Sequence, residues 1–225
     1  MSSAGPPERT PPGTDGEALV ILACVEPVSG RLRVGFVEGA TPDKWARRWR
    51  DQRPERLDLV PLTEEEQGPS LRSGEVDMVL ARLPLDDGAA DDLHQVRLYD
   101  EAPVAVAGRE HVIAAADPVD GVTTDDLLDD QLVRPHPSGW RPTAEQLDWP
   151  AMGYRDAVET VAAGTGVVVV PMSVARLHGR KDVVHRPVTD LDPSVVALVW
   201  LRDRDSDVTQ AFVGVARGRT SRSSR

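Results

Sequence analysis

The sequence predicts an α/β fold built around a largely parallel sheet. Three strands are predicted from their apolar patterns, at residues 32–37, 57–62 and 76–81. Helical patterns separate these strands, at 43–53 and within 63–74. Strands that alternate with short helices are typical of parallel sheets, because two parallel strands need a crossover connection.

The first helix has a clear predicted start. Thr41 is a favourable N-cap residue, Pro42 suits the first helical position, and Asp43 places a negative charge where the helix dipole favours one. Trp45 and Trp49 are four residues apart, so they share one face of this helix. One face of the helix is expected to cover the sheet.

The second helix has two possible starts. Thr63-Glu64-Glu65-Glu66 has the spacing of a capping box. Gly68-Pro69 falls inside the helix that this box would start, where proline costs about 3 kcal/mol. The helix is therefore either kinked or starts again at Pro69, and Gly74 is expected to end it.

The second half of the chain continues to alternate between the two patterns. The amphipathic helix at 154–163 has apolar residues three and four positions apart, and Gly164 is expected to end it. Residues 136–151 are rich in proline, glycine and tryptophan and are expected to form a loop. Further strands are predicted at 96–98, 104–107, 131–134, 167–170, 183–188 and 195–201, and further helices at 124–128, 173–177 and 208–215.

Composition and charge narrow the function. The 225 residues carry a net charge of −11, which argues against nucleic acid as the main partner, since nucleic-acid binders usually present a basic surface. The single Cys24 excludes an internal disulfide framework and a cysteine-rich zinc site. No apolar run approaches the roughly 20 residues that span a bilayer, and the short run before Cys24 follows acidic residues. We therefore expect a cytoplasmic protein without membrane contact.

Both ends of the chain are predicted to be disordered. The segment 1–30 begins with residues rich in proline, glycine and serine and without large apolar side chains. Residues 218–225 form a basic polar tail, which is either solvated or a weak phosphate-binding arm.

The sequence contains no catalytic motif. Gly164-Thr165-Gly166 lacks the third glycine of a dinucleotide-binding fingerprint and follows a helix rather than a strand. The five histidines have no metal-ligand spacing, and each is expected at the surface or in a loop. The acidic pairs within 125–130 are consecutive, so they do not face each other on a helix. We therefore predict no cofactor, no metal and no enzymatic activity.

Several segments occur in an order that indicates a known family. They are Gly39-Ala40-Thr41, residues 67–84 (QGPSLRSGEVDMVLARLP), residues 96–101 (VRLYDE), Asp126-Leu127-Leu128 and residues 161–171 (VAAGTGVVVVP). From about Arg31 to Arg217 the chain resembles the effector-binding (substrate-binding) domain of LysR-type transcriptional regulators. Arg82-Leu83-Pro84 resembles the branch of that family that senses small, often aromatic, carboxylates.

The resemblance implies a two-lobed, periplasmic-binding-protein-like (type 2) fold with parallel-rich mixed sheets and two crossing strands. Lobe I is expected at 31–101 plus 203–217 and lobe II at 102–202, with the ligand in the cleft between them. The family's DNA-binding helix-turn-helix and linker helix are longer than the segment before residue 31. We therefore expect a stand-alone ligand-sensing domain, without sequence-specific DNA binding, that modulates transcription through a partner.

The predicted ligand site lies at the carboxyl ends of strands, where open parallel sheets bind ligands. A helix N-terminus offers free N–H groups there, and Arg82 and Arg134 offer guanidinium groups, which together suit a small organic anion such as a carboxylate. Thr41 is alternatively a plain helix cap, and Arg82 the partner of a nearby acid. The site residues are Gly39, Ala40, Thr41, Thr63, Glu64, Arg82, Leu83, Pro84, Arg134, Pro135 and His136.

The resemblance also implies an antiparallel pairing of two domains. Arg47 and Arg48 of the first helix would meet Asp156 and Glu159 of the helix at 154–163, in a second copy or in a full-length regulator. Alternatively, both tryptophans of the first helix belong to the lobe core and its arginines are solvated. Alternative functions are a cytoplasmic solute-binding protein, an enzyme that reuses the two-lobed cleft, and a DNA binder that acts through the basic tail.

Overall fold

The computed structural model describes residues 30–85 and 91–218. The predictions for residues 1–29, which include Cys24, and for the basic tail from residue 219 onward lie outside the described residues. Within the described ranges, no helix is both long enough and apolar enough to cross a bilayer.

The described residues form eight strands, five α-helices and three short 3-10 helices. The strands are β1 (Arg31–Val37), β2 (Arg56–Leu62), β3 (Met78–Leu83), β4 (Leu93–Glu101), β5 (Pro103–Gly108), β6 (Val167–Pro171), β7 (Val183–Pro187) and β8 (Ser194–Leu201). The α-helices are α1 (Asp43–Gln52), α2 (Gln67–Ser73), α3 (Tyr154–Ala162), α4 (Met172–Leu177) and α5 (Asp207–Ala216). Short 3-10 helices lie at Val112–Ala115, Asp125–Leu127 and Arg202–Arg204.

The larger sheet has the strand order β2-β1-β3-β8-β4. β1 runs parallel to β2 and β3, with α1 and α2 as the connecting helices, as the alternating pattern predicts. β8 runs antiparallel to both of its neighbours, β3 and β4. The sheet is therefore mixed, and its parallel half brings the carboxyl ends of β1, β2 and β3 to the same side.

The smaller sheet has the order β6-β5-β7, and both of its strand pairs are antiparallel. The prediction of a strand at 131–134 is wrong, because only one isolated bridge forms there, between Leu132 and Val167. The N–H of Leu132 donates instead to Gln146 Oε1 at 2.7 Å, so a side chain takes the place of a strand partner. We use "first lobe" for the larger sheet with its helices and "second lobe" for the smaller sheet with its helices.

β8 corrects the predicted lobe boundary. The division at residue 202 assigned Ser194–Leu201 to lobe II, but this strand pairs with β3 and β4 in the larger sheet. Its buried Leu198 and Trp200 share a core with Trp49 and Phe212. β8 therefore belongs to the first lobe. The chain crosses from the second lobe to the first lobe before β8, not after it.

The start of α1 differs from the prediction by one position. Pro42 is the N-cap, because its carbonyl accepts hydrogen bonds from the N–H groups of Trp45 and Ala46 at 2.9 and 3.0 Å. No side chain caps this helix, and Thr41 lies one residue before the cap. The sheet-facing side of α1 is confirmed, since Trp49 is fully buried in the first-lobe core.

α2 starts at Gln67, which places Pro69 in its first turn. The carboxylate of the N-cap residue Glu66 accepts a hydrogen bond from the N–H of Thr63 at 2.8 Å, which is one half of the predicted capping box. A proline in the first turn removes no hydrogen bond, because N–H groups there have no partner within the helix. Gly74 ends α2 with a φ of 76°, as predicted.

Candidate functional site

Arg82 lies near the end of β3, and only 6% of its side chain is exposed. Its Nη1 donates to Glu64 Oε1 at 2.5 Å, while its Nε and Nη2 donate to Glu101 Oε2 at 3.1 and 2.7 Å. Its backbone N–H donates to Gln67 Oε1 at 2.8 Å, which ties β3 to α2. The ion pair considered above as an alternative role for Arg82 is therefore present on two sides of the guanidinium.

A buried guanidinium is stable only when its charge is compensated. Burial lowers the pKa of Arg82, but the carboxylates of Glu101 and Glu64 outweigh burial and hold this pKa above its ordinary value. One positive and two negative charges give these three side chains a net charge of −1. Arg82 therefore has no uncompensated charge with which to attract another carboxylate.

Side chains of both lobes meet around this arginine. Tyr154, the first residue of α3, donates its hydroxyl hydrogen to Glu64 Oε2 at 2.8 Å. Arg82 Nη2 donates to Ser173 Oγ of α4 at 3.5 Å. Burial and the charge of Glu64 raise the pKa of Tyr154, so its hydroxyl stays protonated at neutral pH. We call Arg82, Glu64, Glu101, Tyr154 and Ser173 the Arg82 cluster.

A second polar contact between the lobes lies beside the Arg82 cluster. His178 Nε2 is 2.5 Å from Glu38 Oε1, and only 9% of the histidine side chain is exposed. His178 lies in the turn that follows α4, which agrees with the predicted surface or loop position, although its side chain is largely buried. Gly39 permits the close approach of the lobes, because a Cβ there would collide with Ser173 Oγ, and because its φ of 86° favours glycine.

Arg134 faces the cluster from the second lobe. Its guanidinium carbon lies 4.4 Å from the ring centroid of Tyr154, a favourable cation–π contact. Its Nε donates to the Met152 carbonyl at 3.3 Å, and its Nη2 lies 3.4 Å from a carboxylate oxygen of Glu65, a side chain that is 71% exposed. Burial, followed by the charge of Arg134, lowers the pKa of His136. Because exposed ion pairs are weak, the charge of Arg134 is only partly compensated.

A cavity of about 410 Å³ lies at the carboxyl ends of β1 and β2. The predicted site residues Gly39, Ala40, Thr41 and Thr63 line it, together with Leu177 of the second lobe. Apolar walls with a few polar groups are typical of sites for small organic molecules. The cavity therefore lies beside the Arg82 cluster, since its wall includes Glu38, whose carbonyl accepts a hydrogen bond from Arg82, and Gly39, which lies against Ser173.

Three of the predicted site residues, Leu83, Pro84 and Pro135, do not line the cleft cavity. Leu83 packs against an apolar core of the first lobe, and Pro84 and Pro135 are exposed. None of the contacts in the described ranges gives these three residues a role toward a ligand. Trp140 and Trp149 of the loop after them pack against second-lobe cores, which agrees with the predicted loop.

Sequence reasoning missed three members of the Arg82 cluster. Glu101, Tyr154 and Ser173 come from separate elements, and no local spacing links them to Arg82. Tyr154 begins the amphipathic helix predicted at 154–163, whose spacing indicates only an apolar face. The available signal was chemical, because a tyrosine buried on such a face needs a hydrogen-bond partner for its hydroxyl.

A larger open cavity of about 940 Å³ lies in the second lobe. Its wall includes Arg109, Arg180 and Lys181 and none of the predicted site residues. Arg180 is already paired with Asp182, with 2.8 Å between their closest N and O atoms. We take the cleft as the candidate site, because predicted residues of the first lobe line its cavity and the predicted Arg134 of the second lobe stacks on Tyr154, which is bonded to Glu64. Among residues 30–85 and 91–218, no group of three or more His, Cys, Asp or Glu side chains is arranged to hold a metal ion.

The family model of the LysR substrate binding domain matches residues 26–221. The chain belongs to this family. This chain is 29% identical, over 168 residues, to the HTH-type transcriptional regulator CatR of Pseudomonas putida. The aligned residues are 68% of this chain and 54% of CatR. This chain is also 26% identical, over 208 residues, to the Hca operon transcriptional activator HcaR of Escherichia coli, covering 84% of this chain and 68% of HcaR.

These relatives are transcriptional regulators rather than enzymes. The LysR substrate-binding domain spans about half the length of CatR. Its fold is that of the BenM effector binding domain, which was solved with its effector benzoate. That structure matches with a TM-score of 0.67 at 20% identity, over 85% of this chain and 92% of that chain. The predicted two-lobed fold is therefore confirmed.

Proposed function

We propose that this domain senses a small organic anion, such as a carboxylate, in the cleft between its lobes. The observation that carries the proposal is Arg134, a half-buried arginine whose charge is only partly compensated and which faces a polar cluster built by both lobes. The effector of the structurally similar BenM domain, benzoate, is an aromatic carboxylate. Binding between two lobes would bias their relative position, and that change would reach a partner.

The proposed roles of the cleft residues follow from their chemistry. Arg134 holds the carboxylate, because a guanidinium can donate two parallel hydrogen bonds to it. The start of α1, beside Thr41, contributes N–H groups that no side chain caps. The cavity lined by Gly39, Ala40 and Thr63 receives the body of the ligand. While no ligand is bound, Arg82 holds the lobes together through its hydrogen bonds to Glu64 and Glu101.

We further propose that the domain modulates transcription in the cytoplasm through a homodimer or by pairing with a full-length regulator, while the partner makes the sequence-specific DNA contacts. Trp49 is fully buried and Trp45 is partly buried against the same core, so the outer face of α1 offers mainly charges to a partner. Arg47 is exposed on α1, and Asp156 and Glu159 are exposed on α3. Their opposite charges support an antiparallel contact between α1 of one copy and α3 of another.

A thermal-shift screen of small carboxylates tests the ligand proposal, since a ligand that binds only the folded state raises the melting temperature. Benzoate belongs in the screen, with uncharged benzamide as its matched control. For a carboxylate that binds, calorimetry should show that Arg134→Ala weakens binding by about 1.5–3 kcal/mol, the range for hydrogen bonds to charged groups. Arg155→Ala, on the exposed face of α3, should leave the affinity unchanged.

Two results would contradict the proposed function. One is a screen in which no carboxylate stabilises the wild-type domain more than its uncharged analogue does. The other is an Arg134→Ala variant that binds the carboxylate as tightly as the wild type.

A further inference from the structure

Glu64 makes the contacts that a bound carboxylate would make. Its Oε1 accepts a hydrogen bond from Arg82 at 2.5 Å, and its Oε2 accepts one from the hydroxyl of Tyr154 at 2.8 Å. One donor belongs to the first lobe and the other to the second lobe. A single carboxylate group therefore bridges the lobes, and the chain itself supplies it.

The Nε and Nη2 groups of Arg82 are already used. Its Nε and Nη2 donate to Glu101, and Nη2 also donates to the Glu38 carbonyl at 3.2 Å. A carboxylate that arrives from solution meets an arginine whose Nη1 is already bonded to Glu64. It also meets the net negative charge of the Arg82, Glu64 and Glu101 side chains, which disfavours a second carboxylate beside Glu64.

The Glu64 side chain can leave this position without unfolding its surroundings. Its backbone carbonyl accepts a hydrogen bond from Gln67 Nε2 at 2.9 Å, so the main chain is anchored independently of the carboxylate. The side chain is 16% exposed, which gives it a route to solvent. Its displacement would free Arg82 Nη1 and the hydroxyl of Tyr154 together.

We propose that Glu64 occupies a carboxylate subsite of the cleft from within the chain, so that a ligand carboxylate reaches Arg82 and Tyr154 only by displacing it. This inference rests on the proposed function for its biological meaning, and it deepens that function by adding a control on the same site. The internal carboxylate bridges the lobes when no ligand is bound. It also sets how tightly an external carboxylate must bind before it replaces the bridge.

Chemical rescue tests the subsite directly. Glu64→Ala removes the internal carboxylate and leaves a space between Arg82 and Tyr154. Added formate or acetate should raise the melting temperature of this variant by clearly more than it raises that of the wild type, because the small anion binds only the folded state. Glu64→Gln fills the space with a neutral isostere, so formate should raise its melting temperature by less than that of Glu64→Ala, and sodium chloride at equal ionic strength controls for salt. Glu145→Ala, at an exposed glutamate of the loop at 136–151, is the matched control.

A second measurement uses Glu64→Gln, which retains the shape of the side chain, so the inference stays testable if Glu64→Ala does not fold. Calorimetry should show that this variant binds benzoate about tenfold more tightly than the wild type, because the competing charge is gone. Equal formate responses in Glu64→Ala and wild type overturn the inference, and so does equal benzoate affinity in Glu64→Gln and wild type. Rescue by formate together with a carboxylate screen that fails on the wild type would instead support the subsite and contradict the proposed function.

Discussion

Arg82 and Arg134 lie on opposite sides of the hydrogen bond between Tyr154 and Glu64, one in each lobe. Arg82 is 6% exposed and bonded to two carboxylates, whereas Arg134 is 17% exposed, stacks on an aromatic ring and reaches one exposed glutamate. The deeper arginine needs full compensation because a buried unpaired charge is costly. The shallower arginine remains partly hydrated, so it keeps charge for a ligand. Burial and pairing, rather than residue type, separate a structural arginine from a ligand-binding one.

Removal of the Arg82 side chain is expected to cause the greatest loss of stability. Arg82→Ala leaves Glu101, which is 7% exposed, without its cation and should lower the free energy of unfolding by about 3–5 kcal/mol. Arg134→Ala, as the matched control, should cost about 1 kcal/mol or less, since its ion pair is exposed to solvent. Urea unfolding of both variants measures the difference. Similar losses of unfolding free energy in the two variants would contradict the structural role assigned to Arg82 alone.

The next effect concerns the hydrogen bond between the two arginines. Tyr154→Phe removes the donor to the Glu64 carboxylate and should lower the free energy of unfolding by about 1.5–3 kcal/mol, the range for a hydrogen bond to a charged group. Tyr99→Phe is the matched control, because Tyr99 is 39% exposed on β4. It should change stability by less than about 0.5 kcal/mol. Equal changes in the unfolding free energy of the two variants would show that the hydrogen bond from Tyr154 to Glu64 does not stabilise the fold.

The hydrogen bond between Tyr154 and Glu64 should also make stability depend on alkaline pH. Burial, followed by the charge of Glu64, raises the pKa of Tyr154 above its usual 10.0. The folded protein then holds the hydroxyl proton more tightly than the unfolded chain does. The resulting stability is fully present below pH 10.0 and is lost as pH rises through the folded-state pKa.

Wild type should therefore lose more unfolding free energy than Tyr154→Phe when urea unfolding is repeated at about pH 8 and about pH 11. Tyr154→Phe lacks the titrating hydroxyl but retains the other titrating groups, so it is the control for their contribution. Parallel losses in the two proteins would show that Tyr154 does not carry this pH dependence.

The smallest effect per residue concerns the outer face of the first lobe. Exposed charge pairs contribute about 0.2–1 kcal/mol each, so Arg47→Glu with Arg48→Glu should shift a homodimer toward monomer without unfolding it. Arg97→Glu, on the exposed face of β4, should leave the oligomeric state unchanged. Light scattering at tens of micromolar distinguishes these outcomes. A wild type that is already monomeric there would leave pairing with a full-length regulator as the form of assembly to test.

The sequence predicted the elements that depend on local pattern. The parallel strands, the helix at 154–163 and the end of α2 at Gly74 all follow from periodicity and backbone preference, and the structure has them. The failed strand at 131–134 had the right composition, but a glutamine side chain 14 residues away took its hydrogen bond. The boundary at residue 202 failed for a similar reason, because sheet membership depends on strand pairs that are far apart in the chain.

The candidate site was predictable only in outline. The ends of parallel strands indicated where Arg82 and Thr41 would lie, and the family resemblance indicated a cleft. The partners of Arg82 come from positions 18 and 19 residues away and from across the cleft, so no local spacing identifies them. The sequence left the ion-pair role of Arg82 open, and the three-dimensional arrangement supplies both carboxylates.

The most direct test of the account is a crystal structure of the domain with the carboxylate that gives the largest thermal shift. The ligand carboxylate is expected within hydrogen-bonding distance of Arg134, between the two lobes, with Arg82 still bonded to Glu101. A ligand seated instead in the larger second-lobe cavity beside Arg109 and Lys181 would contradict it.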